Sequence, residues 1–263
     1  MNELSSLGLI DSHAHIQGSE YASEVEAVVK RAQEAGVERI IVVGGAGEIS
    51  SNTEAIALAQ SFPHVYATVG MHPHDAKDVG TDELKRLKEL TADPKVVAVG
   101  ETGLDYYYDH SPRQVQRRVF AEFIAMARET NLPIVVHERD AAPDATDLLR
   151  AEGVGKLHGV IHCFTGDYDA ARVYLDLGFY LSFTGIITFK NAQPLRDVVR
   201  QVPLERMFVE TDSPYLAPVP HRGKRNEPAY VRFVAETIAK VKGLALEEVA
   251  RVTTNNVREL FRI

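Results

Sequence analysis

Residues 7–15 read LGLIDSHAH, a short apolar run that ends in polar side chains, and seven comparable runs follow it along the chain. Short runs that are rich in Val and Ile are typical of β-strands. The others are RIIVVGG at 39–45, HVYATVGMH at 64–72, VVAVGE at 96–101, PIVVHE at 133–138, GVIHCF at 159–164, YLSFTG at 180–185 and MFVETD at 207–212. The sequence therefore predicts eight strands.

Amphipathic segments separate the predicted strands. The segment EVEAVVKRAQEAG at 24–36 ends on Gly36, a residue type that commonly follows the last turn of a helix. A second example, RQVQRRVFAEFIAMARETN at 113–131, has the same helical periodicity. Alternating strands and helices indicate parallel strands, and eight such units in about 250 residues favour a closed (β/α)8 TIM-type barrel of the α/β class.

An open doubly wound sheet is the alternative architecture, and it would need a Gly-rich phosphate loop after its first strand. The only candidate, VVGGAG at 42–47, follows the second strand and lacks the G-x-G-x-x-G spacing. Two more amphipathic segments, at 228–243 and 246–261, are predicted to be closing helices. Because no shift in composition marks a boundary, we predict one barrel domain over residues 1–263.

The composition limits the class of protein. With 263 residues, 45% of them hydrophobic, the chain can bury a sizeable core. Its single cysteine, Cys163, excludes an internal disulfide framework, and no stretch approaches the roughly 20 apolar residues of a membrane span. These features predict a cytoplasmic protein without membrane contact, and they are compatible with a monomer. The net charge of −8 means that a polyanionic substrate must be met by local positive charge.

Six side chains that can bind metal ions stand at the ends of predicted strands. In a barrel of this type the functional residues lie at the C-terminal ends of the strands, so the six are expected to surround one mouth. Strand alternation supports this, because His137 shares a face with Val135 and His162 shares a face with Val160. The six are His13, His15, Glu101, His137, His162 and Asp212.

A single polar residue at a strand end is more often a hydrogen-bonded terminus than a ligand, but six together in an apolar barrel need a compensating cation. Imidazole and carboxylate ligands without thiolate suit Zn²⁺, Mn²⁺ or a similar ion, and suit Mg²⁺ less well. Six ligands exceed one tetrahedral shell. We therefore predict two divalent ions about 3.5–4 Å apart, bridged by Glu101, that activate a water molecule near neutral pH.

Motifs that run in one order across nearly the whole chain resemble those of the TatD-related metal-dependent hydrolases. They are D-x-H-x-H at 11–15, MHPH at 71–74, GETGLDYYY at 100–108, VHERDA at 136–141, HCFTG at 162–166, SFTGIITFKNA at 182–192, ETDSPYL at 210–216 and RGKRNEP at 222–228. The resemblance implies a (β/α)8 metallohydrolase barrel, a type usually described as a deoxyribonuclease. It further implies that one metal is held by His13, His15, Glu101 and Asp212, and the other by Glu101, His137 and His162.

The chain departs from the family pattern at two positions. Thr102 stands where the family often has Ile, and Glu138 stands where a small residue is common. Glu138 adds a negative charge beside His137, which bears on metal preference and rate. Strand parity, however, directs this side chain away from the mouth.

Further residues are predicted to take part in catalysis. His72, in the loop after the third strand, is expected to contact the scissile phosphate or its leaving group, or else to orient its neighbours. Asp212 is expected to accept the proton of the attacking water as well as to bind metal, a role inferred partly from the family. Asp105 and Glu210 are candidates for orienting ligand histidines.

The segment HRGKRNEP at 221–228 brings Arg222, Lys224 and Arg225 into one loop after the last strand. Such a loop is often only solvated surface, but its position beside the mouth predicts contact with a phosphate backbone. Arg225 is favoured because a guanidinium binds two phosphate oxygens at once. The run Tyr106–Tyr108 is predicted to stack on an unpaired base or to pack at the rim, and parity predicts that Cys163 is a buried barrel residue.

Together these features predict a metal-dependent hydrolase that cleaves phosphodiester bonds in DNA, of exonuclease type, acting at a single-stranded end. The alternative is hydrolysis of an amide, ester or lactone on the same barrel, because activated water serves both reactions. A third hypothesis is a non-catalytic nucleic-acid- or metal-binding module. The intact set of six ligand-type residues argues against it.

Overall fold

The computed structural model describes residues 7–152 and 157–263 of the chain. Its eight strands are all parallel and pair in sequence order, which confirms the predicted (β/α)8 TIM-type barrel. The strands are β1 (Leu9–Ala14), β2 (Val37–Val43), β3 (Val65–Val69), β4 (Val96–Asp105), β5 (Ile134–Arg139), β6 (Gly159–Ile161), β7 (Tyr180–Phe183) and β8 (Met207–Val209).

Helices α1 to α7 connect consecutive strands, and α8 and α9 follow β8 where the two closing helices were predicted. Within the two described ranges, no helix combines the length and apolar character needed to cross a bilayer. The helices are α1 (Val25–Glu34), α2 (Ser50–Ser61), α3 (Thr81–Leu90), α4 (Arg113–Thr130), α5 (Ala142–Glu152), α6 (Tyr168–Asp176), α7 (Gln193–Gln201), α8 (Val231–Lys242) and α9 (Leu246–Phe261).

Apolar side chains fill the barrel interior at the N-terminal end of the strands. Ile10, Val135, Val160 and Phe208, each the second residue of its strand, belong to one buried cluster with Phe261 of α9. The rings of Phe208 and Phe261 lie 5.9 Å apart. Helix α9 therefore covers the interior at this end, and the ligand-type side chains lie at the opposite, C-terminal mouth.

The seam between β1 and β8 is closed by a few short bonds. The backbone N–H of Asp212 donates to the His13 carbonyl at 2.9 Å, just beyond β8. Deeper in the seam, the fully buried carboxyl of Asp11 accepts hydrogen bonds from the N–H of Thr211 at 2.8 Å and from its hydroxyl at 2.6 Å. Burial raises the pKa of Asp11 well above its ordinary value, and Thr211 supplies the donors that stabilise the carboxyl there.

A close approach between β4 and β5 brings Glu101 and His137 together. Gly103 pairs with His137 across the two strands and has a φ of +147°. A Cβ at this position would lie 2.0 Å from the carbonyl oxygen of His137. Because only glycine fits this contact, Gly103 fixes the distance between the two strands that carry the central carboxylate and one of its imidazole neighbours.

Candidate metal centre

A cleft of about 980 Å³ opens at the C-terminal mouth of the barrel. The six predicted ligands come from the ends of five strands. Five of the six predicted ligands line the cleft, and the sixth, His13, is fully buried next to them. The five are His15, Glu101, His137, His162 and Asp212.

The carboxylate of Glu101 lies between two groups of imidazoles. Its Oε2 is 3.3 Å from His13 Nε2 and 3.7 Å from His15 Nε2. Its Oε1 is 2.8 Å from His137 Nδ1 and 3.0 Å from His162 Nε2. Each oxygen therefore faces its own group, which is the arrangement that a carboxylate bridging two cations needs.

Asp212 belongs to the group on the Oε2 side. Its Oδ1 lies 3.6 Å from His15 Nε2 and 3.9 Å from His13 Nε2. The residue has a φ of +56°, an uncommon conformation for a side chain with a Cβ. The hydrogen bond from its N–H to the His13 carbonyl holds this turn against β1.

His72 belongs to the group on the Oε1 side. Its Nε2 lies 3.2 Å from His137 Nδ1 and 3.7 Å from Glu101 Oε1. The sequence predicted a role for His72 in contacting the substrate, and the structure places its nitrogen among the potential metal donors as well. The neighbouring His74 instead pairs with Asp105 at 3.0 Å.

The outward nitrogens of three histidines are held by acceptors. His15 Nδ1 lies 3.1 Å from the Val43 carbonyl. His137 Nε2 lies 3.1 Å from Asp105 Oδ2, and His162 Nδ1 lies 3.0 Å from Glu210 Oε1. Acceptors in these positions fix the ring orientation and leave the inward nitrogen free as a ligand. Asp105 and Glu210 thus occupy the orienting positions that the sequence predicted.

Replacing Glu210 by Gln should weaken metal binding and activity by about 10- to 100-fold, since the change removes the negative charge that supports His162. Titration of metal into the chelator-treated variant measures this loss directly. Asp75→Asn is the matched control, because Asp75 lines the same cleft but accepts its hydrogen bond from the N–H of Gly47. Equal affinities for metal in both variants would show that Glu210 does not support the ligand.

Burial and charge set the protonation of the site. Burial lowers the pKa of His15 to about 4 and the pKa of His72 well below its ordinary range, so both imidazoles are neutral at pH 7. Burial alone would raise the pKa of Glu101, but the imidazoles of His162 and His13 help to hold it well below its usual value. Against the effect of burial, Glu101 and Glu210 raise the pKa of His162. Ionised carboxylates and neutral imidazoles are the donors that a divalent cation needs, and His15 and His72 are already neutral. A cation that binds at His162 would displace the proton from its ring.

Among residues 7–152 and 157–263, three sets of donor atoms are compact enough to hold an ion, with all atoms of a set within 4.8 Å of one another. The sets overlap at His13 and at Glu101, so they form one continuous centre. Oxygen and imidazole donors without sulfur suit borderline divalent ions. The sets are His13 with Glu101 and His162, His13 with His15 and Asp212, and His72 with Glu101 and His137.

The basic loop after β8 lies outside the lining of the cleft. The guanidinium of Arg225 donates to Glu24 at 2.7 Å and lies 4.4 Å from the centre of the Tyr21 ring. Arg222 lies 3.7 Å from the centre of the Phe189 ring, and Lys224 is exposed. Contact of these three residues with substrate stays a prediction.

The cleft contains other side chains that the sequence did not single out. Lys77 and Arg139 supply positive charge to its lining, and the ring of Tyr215, three residues after Asp212, is 61% exposed. These residues lie in loops or at a strand end, where no regular spacing marks them. Tyr108, one of the predicted stacking residues, also lines the cleft and is 49% exposed.

The parity prediction for Cys163 is corrected by the structure. Strand β6 ends at Ile161, and Cys163 follows in a turn with a φ of +46° that places it in the lining of the cleft. Its N–H donates to Glu210 Oε1 at 2.7 Å. Glu138 also reaches the lining, although its carboxylate is held by the N–H of Ala141 at 2.8 Å. Alternation predicts the direction of a side chain only as far as the strand extends.

Comparison with known sequences gives matches over nearly the whole chain. A family model described as TatD related DNase matches residues 10–262. A relative from Bacillus subtilis (strain 168), named uncharacterized metal-dependent hydrolase YabD, is 47% identical over 255 residues, covering 97% of this chain and 99% of that protein. A relative from Edwardsiella piscicida, named 3'-5' ssDNA/RNA exonuclease TatD, is 35% identical over 262 residues, covering 97% of this chain and all of that protein.

A solved structure has a closely similar fold over nearly the whole chain. The crystal structure of YjjV, a TatD homolog from Escherichia coli K12, has a TM-score of 0.92 and 28% sequence identity to this chain. The match covers 98% of this chain and 99% of that one. The similarity therefore includes every strand that carries a candidate ligand.

Proposed function

We propose, from the premise that the chain belongs to the TatD-related DNase family, that it hydrolyses phosphodiester bonds in DNA from a single-stranded end. As a member of this family the chain is a metal-dependent hydrolase. The proposal adds the DNA substrate, the exonuclease mode and a centre of two divalent ions, which are Zn²⁺, Mn²⁺, Mg²⁺ or similar.

The main support for this proposal is the position of Glu101 between two groups of imidazoles. With one oxygen toward each group of imidazoles, this carboxylate can serve two ions, and each group offers further donors for its own ion. Two-metal centres of this kind are used to clamp both the attacking and the leaving oxygen of a phosphodiester. We propose that His13, His15 and Asp212 would hold one ion and that His137 and His162 would hold the other, with Glu101 shared between them.

The residues of the chain take separate parts in the reaction. When bound, the two ions supply positive charge that polarises the phosphate and makes water more acidic. Asp212 lies at the edge of the centre, with 15% of its side chain exposed, and it accepts the proton of the attacking water. His72, of which 13% of the side chain is exposed, reaches the cleft from the opposite side of Glu101 and contacts the phosphate or its leaving group.

The rim of the cleft supports a single-stranded substrate. Lys77 and Arg139 provide positive charge in a chain whose net charge is −8. The exposed ring of Tyr215 offers a face on which an unpaired base can stack, whereas bases within a duplex are not accessible in this way. The ring of Tyr108 already stacks with His110 and lies under the guanidinium of Arg139. The name of the Edwardsiella piscicida relative, a 3'-5' ssDNA/RNA exonuclease, agrees with this choice of substrate.

Removal and restoration of metal test the proposal. Protein stripped with a chelator should be inactive, and Mg²⁺, Mn²⁺, Co²⁺ or Zn²⁺ added singly should restore activity to different extents. Labelled single-stranded DNA, duplex DNA, RNA and a panel of esters, amides and lactones are offered to each form. We expect mononucleotide release from single-stranded ends, and two bound ions per chain by elemental analysis.

The same panel separates the alternatives. Turnover of esters, amides or lactones without nucleotide release under any metal would favour the small-substrate hydrolase. Binding of DNA without turnover of any substrate would favour the non-catalytic module. A full restoration of activity by one ion per chain would contradict the two-metal assignment.

A further inference from the structure

A second groove, of about 550 Å³, lies on the outside of the barrel between α7 and α8. Its lining contains basic side chains and, within the described part of the chain, no carboxylate. This is a local excess of positive charge in a chain with a net charge of −8. The basic residues are Lys190, Arg196, Arg200 and Lys240.

Most of this charge is not neutralised. Arg196 donates to the carbonyls of Ile187 and Phe189 at 2.9 and 2.8 Å, bonds that fix the guanidinium and leave its charge intact. Lys190 and Lys240 are exposed, and neither forms an ion pair in residues 7–152 and 157–263. Arg200 alone is paired, with Asp197 at 2.6 Å.

The groove is separated from the metal cleft by a single ridge. The ridge consists of the loops after β7 and β8, which are joined by a hydrogen bond of 2.9 Å from the N–H of Val219 to the Thr188 hydroxyl. Ile186 and Leu216 of these loops line the cleft, while Ile187, Thr188 and Val219 line the groove. A chain leaving the cleft over this ridge therefore arrives directly in the groove.

Two side chains near this ridge fit the passage of a nucleic acid strand. Val219 is 47% exposed and presents an apolar surface between the two openings. Arg222, in the loop after β8, lies over the ring of Phe189, which is part of the groove lining. This position gives Arg222 a place beside the groove rather than inside the cleft.

We infer that the groove binds the phosphate backbone of the DNA strand whose end lies in the metal cleft, an inference that rests on the proposed function. From Gln193 to Arg200, α7 extends along the groove for about 10 Å, more than one phosphate group needs. A row of cations along an open groove is complementary to a linear polyanion. The groove therefore adds affinity for long strands and none for substrates confined to the cleft.

The double variant K190E/K240E tests this inference. For two lost phosphate contacts, the slope of log affinity against log salt should become shallower by about 1.4 for single-stranded DNA, and affinity at low salt should fall about tenfold. Anisotropy of a labelled oligonucleotide long enough to reach the groove measures both effects. For a trinucleotide, kcat/KM should be unchanged, because its phosphates stay in the cleft.

The matched control is K85E/R86E, which makes the same change in net charge on exposed residues of α3. Equal loss of DNA affinity in both double variants, or wild-type affinity in K190E/K240E, would overturn the inference that the groove binds DNA. The proposed function fails separately, if the wild-type protein binds long strands through the groove but releases no nucleotide with any metal. Cleavage of short and long strands at wild-type rates in K190E/K240E would contradict the binding role of the groove and would still support the proposed nuclease activity.

Discussion

Replacement of Glu101 by Ala is expected to lower kcat/KM for the substrate by about 10³-fold or more and to reduce the bound metal well below that of the wild-type protein. The size of the effect follows from its position. Within the part of the chain that the structure describes, Glu101 is the one carboxylate that approaches both imidazole groups, at 3.3 Å from His13 and 2.8 Å from His137. Its loss would remove a ligand and a negative charge from both of the proposed ions at once.

Because Glu101 is buried, its removal can also affect folding, so the variant Glu101→Gln is measured alongside. Gln keeps the shape of the side chain and removes the charge. Circular dichroism and thermal unfolding establish that each variant is folded, and elemental analysis gives the metal content. Asp75→Asn serves as the control from the same cleft. Folded Glu101 variants that retain two ions and full activity would refute the central role of this carboxylate.

The barrel and the gathering of ligand-type residues could be predicted because both depend on local regularities. The apolar runs are separated by segments long enough to form a helix. Five strands of a closed barrel carry the ligand-type residues to the same mouth. The division of Glu101 between two groups of histidines is different. It depends on distances between side chains from β1, β4, β5 and β6, which a one-dimensional pattern does not contain.

The loops illustrate what sequence could not predict. Arg225 has the right chemistry for a phosphate contact, but its guanidinium is bound to Glu24, 201 positions away in the chain. Cys163 was assigned a buried face by alternation, but β6 ends before it. In both cases a long-range contact or an early strand end decides the direction of the side chain. The basic groove between α7 and α8 could not be predicted for the same reason, since its cations come from separate elements.

Asp212→Asn is expected to lower kcat by about 10²- to 10⁴-fold, the range for loss of a positioned proton acceptor. Burial raises the pKa of Asp212 to about 6, which suits a base that works near neutral pH. Asn can neither accept the proton of the attacking water nor titrate. The wild-type rate should therefore fall as the pH drops through the pKa of Asp212, which the charge of bound ions would bring to 6 or below.

Metal content separates the two roles of this residue. If Asp212 acts mainly as a base, the variant keeps metal through His13 and His15, and its residual rate lacks the acidic limb of the pH profile. If Asp212 acts mainly as a ligand, rate and metal content fall together and added metal restores both. A variant with full metal occupancy, an undiminished kcat and an unchanged pH profile would contradict both roles. Because Asp212 is held to β1 through the His13 carbonyl, a bond made by its backbone, the substitution leaves the barrel seam intact.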